Sequence, residues 1–102
     1  MSQAVTALRT VVPEELATKI RALGELYGVR NIRVFGSFAR GEALPGSDLD
    51  LLVEYVPGRG GLSFVEFCDE VETLLGRKVD VVTEKSLHPL IRERILAQAV
   101  PL

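Results

Sequence analysis

Hydrophobic residues recur along this chain with two spacings, one typical of helices and one typical of strands. A helix is predicted between Pro13 and Gly28, because proline favours a first turn, glycine favours an end and apolar residues recur every three or four positions between them. These apolar positions are Leu16, Ile20, Leu23 and Tyr27. A second stripe predicts a helix that begins at a capping box, Ser63 to Glu66, and ends at Gly76. Its apolar positions are Phe64, Phe67, Cys68, Val71, Leu74 and Leu75.

Short runs of aliphatic and β-branched residues predict three strands, at 31–35, 48–55 and 78–83. A short helix is predicted at 37–40 and a last helix at 89–98. Helices and strands then alternate along the chain, which predicts a small α/β sandwich with helices packed on a short sheet. The last residues, 100–102, are apolar, and we expect them either to close the core or to dock a partner.

The amino-acid composition indicates a small globular protein. The chain has 102 residues, 47% of them hydrophobic and 25% charged, so we expect one globular domain over 1–102. With a net charge of -2, the protein has no positive electrostatic field that would attract nucleic acid, so direct nucleic-acid binding is not expected. No apolar run approaches the ~20 residues that span a bilayer, and the N-terminus lacks a signal-peptide pattern. The single cysteine, Cys68, fits a reducing compartment, so a cytoplasmic protein is expected.

Two aspartates, Asp48 and Asp50, stand two residues apart at the start of the second predicted strand. In a strand, residues two apart point the same way with Cα atoms about 6.5 Å apart, so both carboxylates can aim at one point. Mg²⁺ is usually held by one or two carboxylates together with substrate phosphates. Taken alone, the segment is better explained as an ordinary turn and cap that follows Pro45 and Gly46.

A third acid, Asp80, lies within the β-branched run that predicts the third strand. A lone charge buried in such a run is strongly disfavoured, so Asp80 needs a partner. A bound metal ion would be one partner. A salt bridge would be another, and the basic residues that could form it are Arg33, Arg77 and Lys78.

The turn at Gly36 and Ser37 follows the first predicted strand and precedes the short helix. Glycine lets the backbone approach a ligand closely, and Ser37 offers a hydroxyl and an N–H at a helix start, where anions are favoured. Arg40 lies one turn later and can reach the same phosphates. Considered alone, the pair is better explained as a plain strand-to-helix turn than as a phosphate site. The combination with the aspartates favours a phosphate and metal site.

Other polar residues have simpler interpretations. His88 is expected to be a loop or cap residue, and Cys68 to lie in the core. Arg92 and Arg94 favour a solvated helix face over contact with a partner or a phosphate. Arg59, in a glycine-rich loop, is a weaker candidate for substrate contact.

Gly36-Ser37, then ten residues, then Asp48-x-Asp50 resembles the signature of the DNA polymerase beta-type nucleotidyltransferases. The flanking residues 34–41 and 47–51 resemble the minimal nucleotidyltransferases, the antitoxins that pair with HEPN-domain toxins. The resemblance implies a nucleotidyltransferase-type α+β fold, a short mixed sheet flanked by helices. It also implies two Mg²⁺ ions on Asp48 and Asp50, a triphosphate at Gly36 and Ser37, and Asp80 as a third metal ligand that helps deprotonate the attacking hydroxyl.

The resemblance further implies that AMP moves from ATP to a tyrosine of the partner HEPN toxin and silences it. Polymerase and CCA-adding roles are not expected, because no second nucleic-acid-binding domain is evident in 102 residues. An alternative is an antitoxin that neutralises its partner by binding alone, with the nucleotide site accessory. Transfer to a small molecule, as in the antibiotic nucleotidyltransferases, usually involves an extra helical domain.

Overall fold

The structure is a computed structural model, and it describes residues 8–9, 11–56, 58 and 61–102. Helices and strands follow one another in nearly the predicted order. The helices are α1 (Glu14–Tyr27), α2 (Ser37–Arg40), α3 (Gly61–Leu75) and α4 (Pro89–Gln98). The strands are β1 (Val29–Phe35), β2 (Leu49–Tyr55), β3 (Val79–Thr83) and β4 (Val100–Pro101), and a 3-10 turn, Glu84–Ser86, precedes α4.

The four strands form one mixed sheet in the order β3-β2-β1-β4. Strand β1 is antiparallel to both β2 and β4, whereas β2 and β3 are parallel. A short mixed sheet flanked by helices confirms the predicted fold class. The parallel register pairs Asp50 with Asp80, so two of the predicted acids are neighbours across the strands.

Local signals account for several boundaries. Helix α1 ends at Gly28, which adopts a left-handed φ of 77° and donates its N–H to the carbonyl of Gly24. Helix α4 begins with Pro89 in its first turn, and the cap residue His88 accepts the N–H of Leu90 on Nδ1 at 3.1 Å. The interpretation of His88 as a cap is confirmed.

Two predicted starts are wrong. Helix α3 begins at Gly61, so Ser63 lies inside its first turn, where serine is tolerated as well as at a cap. Strand β1 begins at Val29, two residues before the predicted start, and its register shifts between Arg30 and Arg33. Asn31 sits in this shift with a positive φ of 49°, which an alternation pattern does not reveal.

One face of the sheet packs against α1 and α3. Its side chains alternate along β2 with those of the opposite face, so Leu49, Leu51 and Val53 are fully buried while Asp50 and Glu54 are not. The core they join includes Val34, Ile20, Ala17, Phe67 and Val71. Cys68 packs against this core, as predicted.

The apolar chain end closes the core. Leu102 is only 5% exposed, and its N–H donates to the carbonyl of Ile32 at 3.0 Å. Val100 and Pro101 form the edge strand β4, which the sequence did not predict. No helix in the described ranges is both long and apolar enough to cross a membrane.

Candidate active site

A cleft of about 470 Å³ opens where β1 ends and β2 and β3 begin. Every predicted site residue lines it, namely Gly36, Ser37, Arg40, Asp48, Asp50 and Asp80. The opposite wall comes from α4, through Ile91, Arg94, Ile95 and Gln98. The fold therefore brings the turn and the three acids to one place.

The three carboxylates differ in burial. Asp50 is half-buried, whereas Asp48 and Asp80 are exposed. Burial raises the pKa of Asp50, and the negative charges of Asp80 and Asp48 raise it further, while Arg40 acts in the opposite direction. The folded protein thus disfavours the charged form of Asp50 and would favour a cation beside it.

The salt-bridge explanation of Asp80 is not supported. Arg33 pairs with Glu84 at 2.9 Å, and Arg77 donates to the carbonyl of Ser47 at 3.0 Å. Among the described residues, no ion pair includes Asp80. The expectation that Asp80 is buried is also wrong, because β3 is an edge strand and this side chain points into the open cleft.

The acids fit a metal ion that is only partly ligated by protein. In the described part of the chain, no three His, Cys, Asp or Glu side chains converge closely enough to hold an ion by themselves. Mg²⁺ keeps several waters and takes one or two carboxylates plus substrate phosphates. Asp48 and Asp50, with Asp80 beside them, offer hard oxygen ligands of the kind that such an ion uses.

Gly36 joins the two halves of the site. It has a φ of 75°, and a Cβ at this position would collide with the Asp50 carboxylate. Only glycine therefore allows the turn to lie against the acid. The first intrahelical bond of α2 runs from the N–H of Arg40 to the carbonyl of Gly36 at 3.0 Å, so the N–H of Ser37 is not used by the helix.

Helix α4 presents one face to the cleft. Ile91, Arg94, Ile95 and Gln98 are spaced at i, i+3, i+4 and i+7, which places them on a single stripe. The solvated-face interpretation of Arg94 is therefore incomplete, because its side chain lines the cleft. Arg92 instead donates to the carbonyl of Leu87 at 3.5 Å and is not a lining residue.

Residues 16–102 match the nucleotidyltransferase domain family. This chain belongs to that family. Within this family, the chain resembles the minimal nucleotidyltransferases in structure. One candidate minimal nucleotidyltransferase of solved structure is 43% identical to it, with a TM-score of 0.78, over 87% of this chain and 91% of that one. A protein adenylyltransferase of Thermococcus cleftensis, MntA, is 42% identical over 78% of this chain and 81% of its own length.

A more distant neighbour supports the fold alone. It is a toxin–antitoxin structure solved with AMP-PNP, 22% identical, with a TM-score of 0.68 over 83% of this chain and 70% of that one. The family match and the relatives above 40% identity make this chain a minimal nucleotidyltransferase, an enzyme class that transfers nucleotides.

Two residues of this nucleotidyltransferase were missed from sequence. Arg77 donates to the Ser47 carbonyl, and its guanidinium carbon lies 5.4 Å from the centre of the Phe38 ring. It therefore ties the segment before Asp48 to α2. Gln98 reaches the turn from α4, with its Oε1 2.8 Å from the N of Gly36. Neither contact leaves a local signal, because each joins distant parts of the chain. Arg59 lies outside the described residues.

Proposed function

We propose that this nucleotidyltransferase transfers AMP from ATP to a tyrosine hydroxyl of a partner toxin of the HEPN class, in the cytoplasm, and so acts as an antitoxin. The observation that carries the proposal is the placement of the Gly36–Ser37 turn and three aspartates in one open cleft. The name of the 42% identical relative, a protein adenylyltransferase, supports a protein acceptor. The toxin–antitoxin neighbour with AMP-PNP agrees with a nucleotide and a toxin partner.

In the proposed reaction, the acceptor oxygen bonds to the α-phosphorus of ATP. The bond from that phosphorus to the bridging oxygen breaks, and pyrophosphate leaves with the electron pair. Asp80 is exposed and unpaired among the described residues, so it can accept the hydroxyl proton. Mg²⁺ held by Asp48 and Asp50, with Asp80, would offset phosphate charge and lower the pKa of the hydroxyl.

The turn and the arginines would hold the triphosphate. Ser37 offers its N–H and hydroxyl, and Arg40 offers a forked cation at the cleft wall. Arg94 adds a second guanidinium from the opposite wall. These groups position the phosphates and neutralise charge, which is most of what phosphoryl-type transfer requires of a protein.

A second candidate function is neutralisation of the toxin by binding alone. It is favoured by apolar side chains that remain exposed: Ile91, which lines the cleft, is 42% exposed, and Leu90, its neighbour on α4, is 84% exposed. Such side chains can contact a partner whether or not chemistry takes place. A double variant, Asp48→Asn with Asp50→Asn, separates the two functions: protection from the toxin is lost if transfer is required and retained if binding is enough.

The direct test uses ATP labelled on either the α- or the γ-phosphate, with Mg²⁺ and the cognate toxin. Label from the α-position should appear on the toxin and label from the γ-position should not. The Asp48→Asn, Asp50→Asn protein is the control and should transfer neither. Transfer of the γ-label, or no transfer by a folded wild-type protein, would exclude the proposed reaction.

A further inference from the structure

The last turn of α4 is bonded to the phosphate turn through one side chain. The Oε1 of Gln98 accepts the N–H of Gly36 at 2.8 Å and lies 3.4 Å from Nη1 of Arg40. Two donors, from both ends of the short segment 36–40, thus converge on a single amide oxygen. The two partners of the first bond are 62 positions apart in sequence.

This bond bears on how Ser37 is presented. The backbone at Gly36 adopts a left-handed φ of 75°, and the Asp50 carboxylate lies against its Cα where a side chain would be. Gln98 holds the same residue through its N–H. Asp50 and Gln98 therefore both contact Gly36, and the direction of the following N–H and hydroxyl of Ser37 depends on both.

The helix end that carries Gln98 is itself anchored. The N–H of Ala99 bonds to the carbonyl of Ile95 at 2.9 Å, and β4 then pairs with β1. The N–H of Leu102 bonds to the carbonyl of Ile32 at 3.0 Å. Because β1 leads directly into Gly36, the helix end and the turn are fixed to the same strand, and the side-chain amide spans the gap between them.

We propose that Gln98 is a positioning residue for nucleotide binding: its side-chain oxygen holds the Gly36 N–H and the Arg40 guanidinium so that Ser37 and Arg40 meet the triphosphate. This rests on the proposed function and deepens it. The role requires an acceptor oxygen at the end of the side chain. Glutamate provides one and leucine does not, so the two substitutions should have opposite effects on the Gly36 N–H contact.

Nucleotide binding gives the first readout. A non-hydrolysable ATP analogue with Mg²⁺ is titrated calorimetrically into the wild-type protein and into the Gln98→Leu and Gln98→Glu variants. We expect Gln98→Leu to raise Kd about tenfold, the equivalent of ~1.4 kcal/mol. Gln98→Glu keeps the acceptor but adds a negative charge to a cleft that takes a triphosphate, so it should bind the analogue more weakly than wild type, and its retained contact is read from the exchange of the Gly36 N–H. In the transfer assay, the KM for ATP should follow Kd while kcat changes little. Glu93→Ala, on α4 but outside the cleft lining, is the matched control and should leave Kd unchanged.

Amide hydrogen exchange of Gly36, measured by NMR without nucleotide, gives the second readout. The Gly36 N–H should exchange slowly in the wild type and in Gln98→Glu, and faster in Gln98→Leu. Equal exchange in all three proteins, or equal nucleotide affinity, would overturn the inference. If the wild type bound no nucleotide, the proposed function would fail. The exchange rates would still show whether Gln98 holds the Gly36 N–H. Should Gln98→Leu not fold, Gln98→Ala provides the same comparison.

Discussion

The two faces of the sheet do different work, and strand β2 shows the contrast within seven residues. Leu49, Leu51 and Val53 point toward α1 and α3 and are fully buried. Asp50 points the other way, into the cleft, beside Asp80 of the neighbouring strand. The first face therefore supplies most of the apolar burial, the main favourable term in folding, whereas the second carries the acids, although Leu52 on that face is also fully buried.

The candidate site lowers the stability of the folded protein. The pKa of Asp50 is raised by burial and by the two nearby aspartates, so the folded state disfavours its ionisation. Gly36 is held in a conformation with positive φ against the same carboxylate. The packed face offsets the cost of burying Asp50, whereas Gly36 adds no steric strain because glycine adopts a positive φ freely. Substitutions on the two faces should consequently separate stability from activity.

The largest expected effect is on the packed face. Leu51→Ala removes a fully buried side chain and should lower the free energy of unfolding by about 2–5 kcal/mol, because it leaves a cavity in the core. Urea denaturation measures this change. The control is Val65→Ala on α3, where the side chain is 53% exposed and the expected loss is below about 0.5 kcal/mol. Equal losses in the two variants would mean that Leu51 does not belong to a tightly packed core.

On the cleft face, Asp50→Asn should reduce AMP transfer by about 100-fold or more without reducing stability. The carboxylate that would hold a cation is lost, but the volume of the side chain is kept. Transfer rates and melting temperatures are measured on the same samples. Glu54→Gln is the matched control, since Glu54 lies on the same face of β2 but outside this cleft. A folded Asp50→Asn protein with normal transfer would contradict the assignment of chemistry to this face.

Substitution of Gly36, which lies between the phosphate turn and Asp50, should change both the stability of the protein and its nucleotide binding. Gly36→Ala forces a Cβ toward the Asp50 carboxylate and strains a φ of 75°, so stability should fall by about 1–3 kcal/mol and nucleotide binding should weaken. Gly46→Ala is the control, because a Cβ there meets nothing within 4 Å. Its stability should change by no more than about 1 kcal/mol. If Gly36→Ala behaved like Gly46→Ala, the close approach of the turn to the acid would be wrong.

The smallest expected effect depends on pH. The pKa of Asp50 is higher in the folded protein than in the unfolded chain, so ionisation of this carboxyl lowers the stability of the fold. The cost is absent below the unfolded pKa of about 4, and it grows as the pH rises from there through the folded pKa. Asp50→Asn removes the cost. Without Mg²⁺, its melting temperature should exceed that of the wild type at pH 7 and approach it in acid. Asp69→Asn, at an exposed position on α3, is the control for the loss of a surface carboxylate. An Asp50→Asn protein that is less stable than the wild type at neutral pH would contradict this prediction.

Sequence alone predicted the features that depend on neighbouring residues. The end of α1 and the start of α4 follow from Gly28, His88 and Pro89. The two-residue spacing of Asp48 and Asp50 places both in the cleft, although Asp48 precedes β2 rather than lying within it. These signals span a few positions, so one chain is enough to recognise them.

The missing features depend on contacts between distant residues. Gln98 contacts a turn 62 positions away, and Arg77 contacts Ser47 across 30 positions. The two-residue strand β4 owes its existence to pairing with β1 rather than to its own pattern. The register shift at Asn31 is likewise invisible to alternation. In each case the fold, not the local sequence, determines the partner.

The central claim is that the Gly36–Ser37 turn and the three aspartates form one nucleotide and metal site. Crystals grown with Mn²⁺ and a non-hydrolysable ATP analogue test it most directly, because anomalous scattering locates the ion. The account predicts Mn²⁺ bound by the carboxylates of Asp48 and Asp50, with the triphosphate against Ser37 and Arg40. An ion and a triphosphate bound elsewhere, with this cleft occupied by neither, would contradict it.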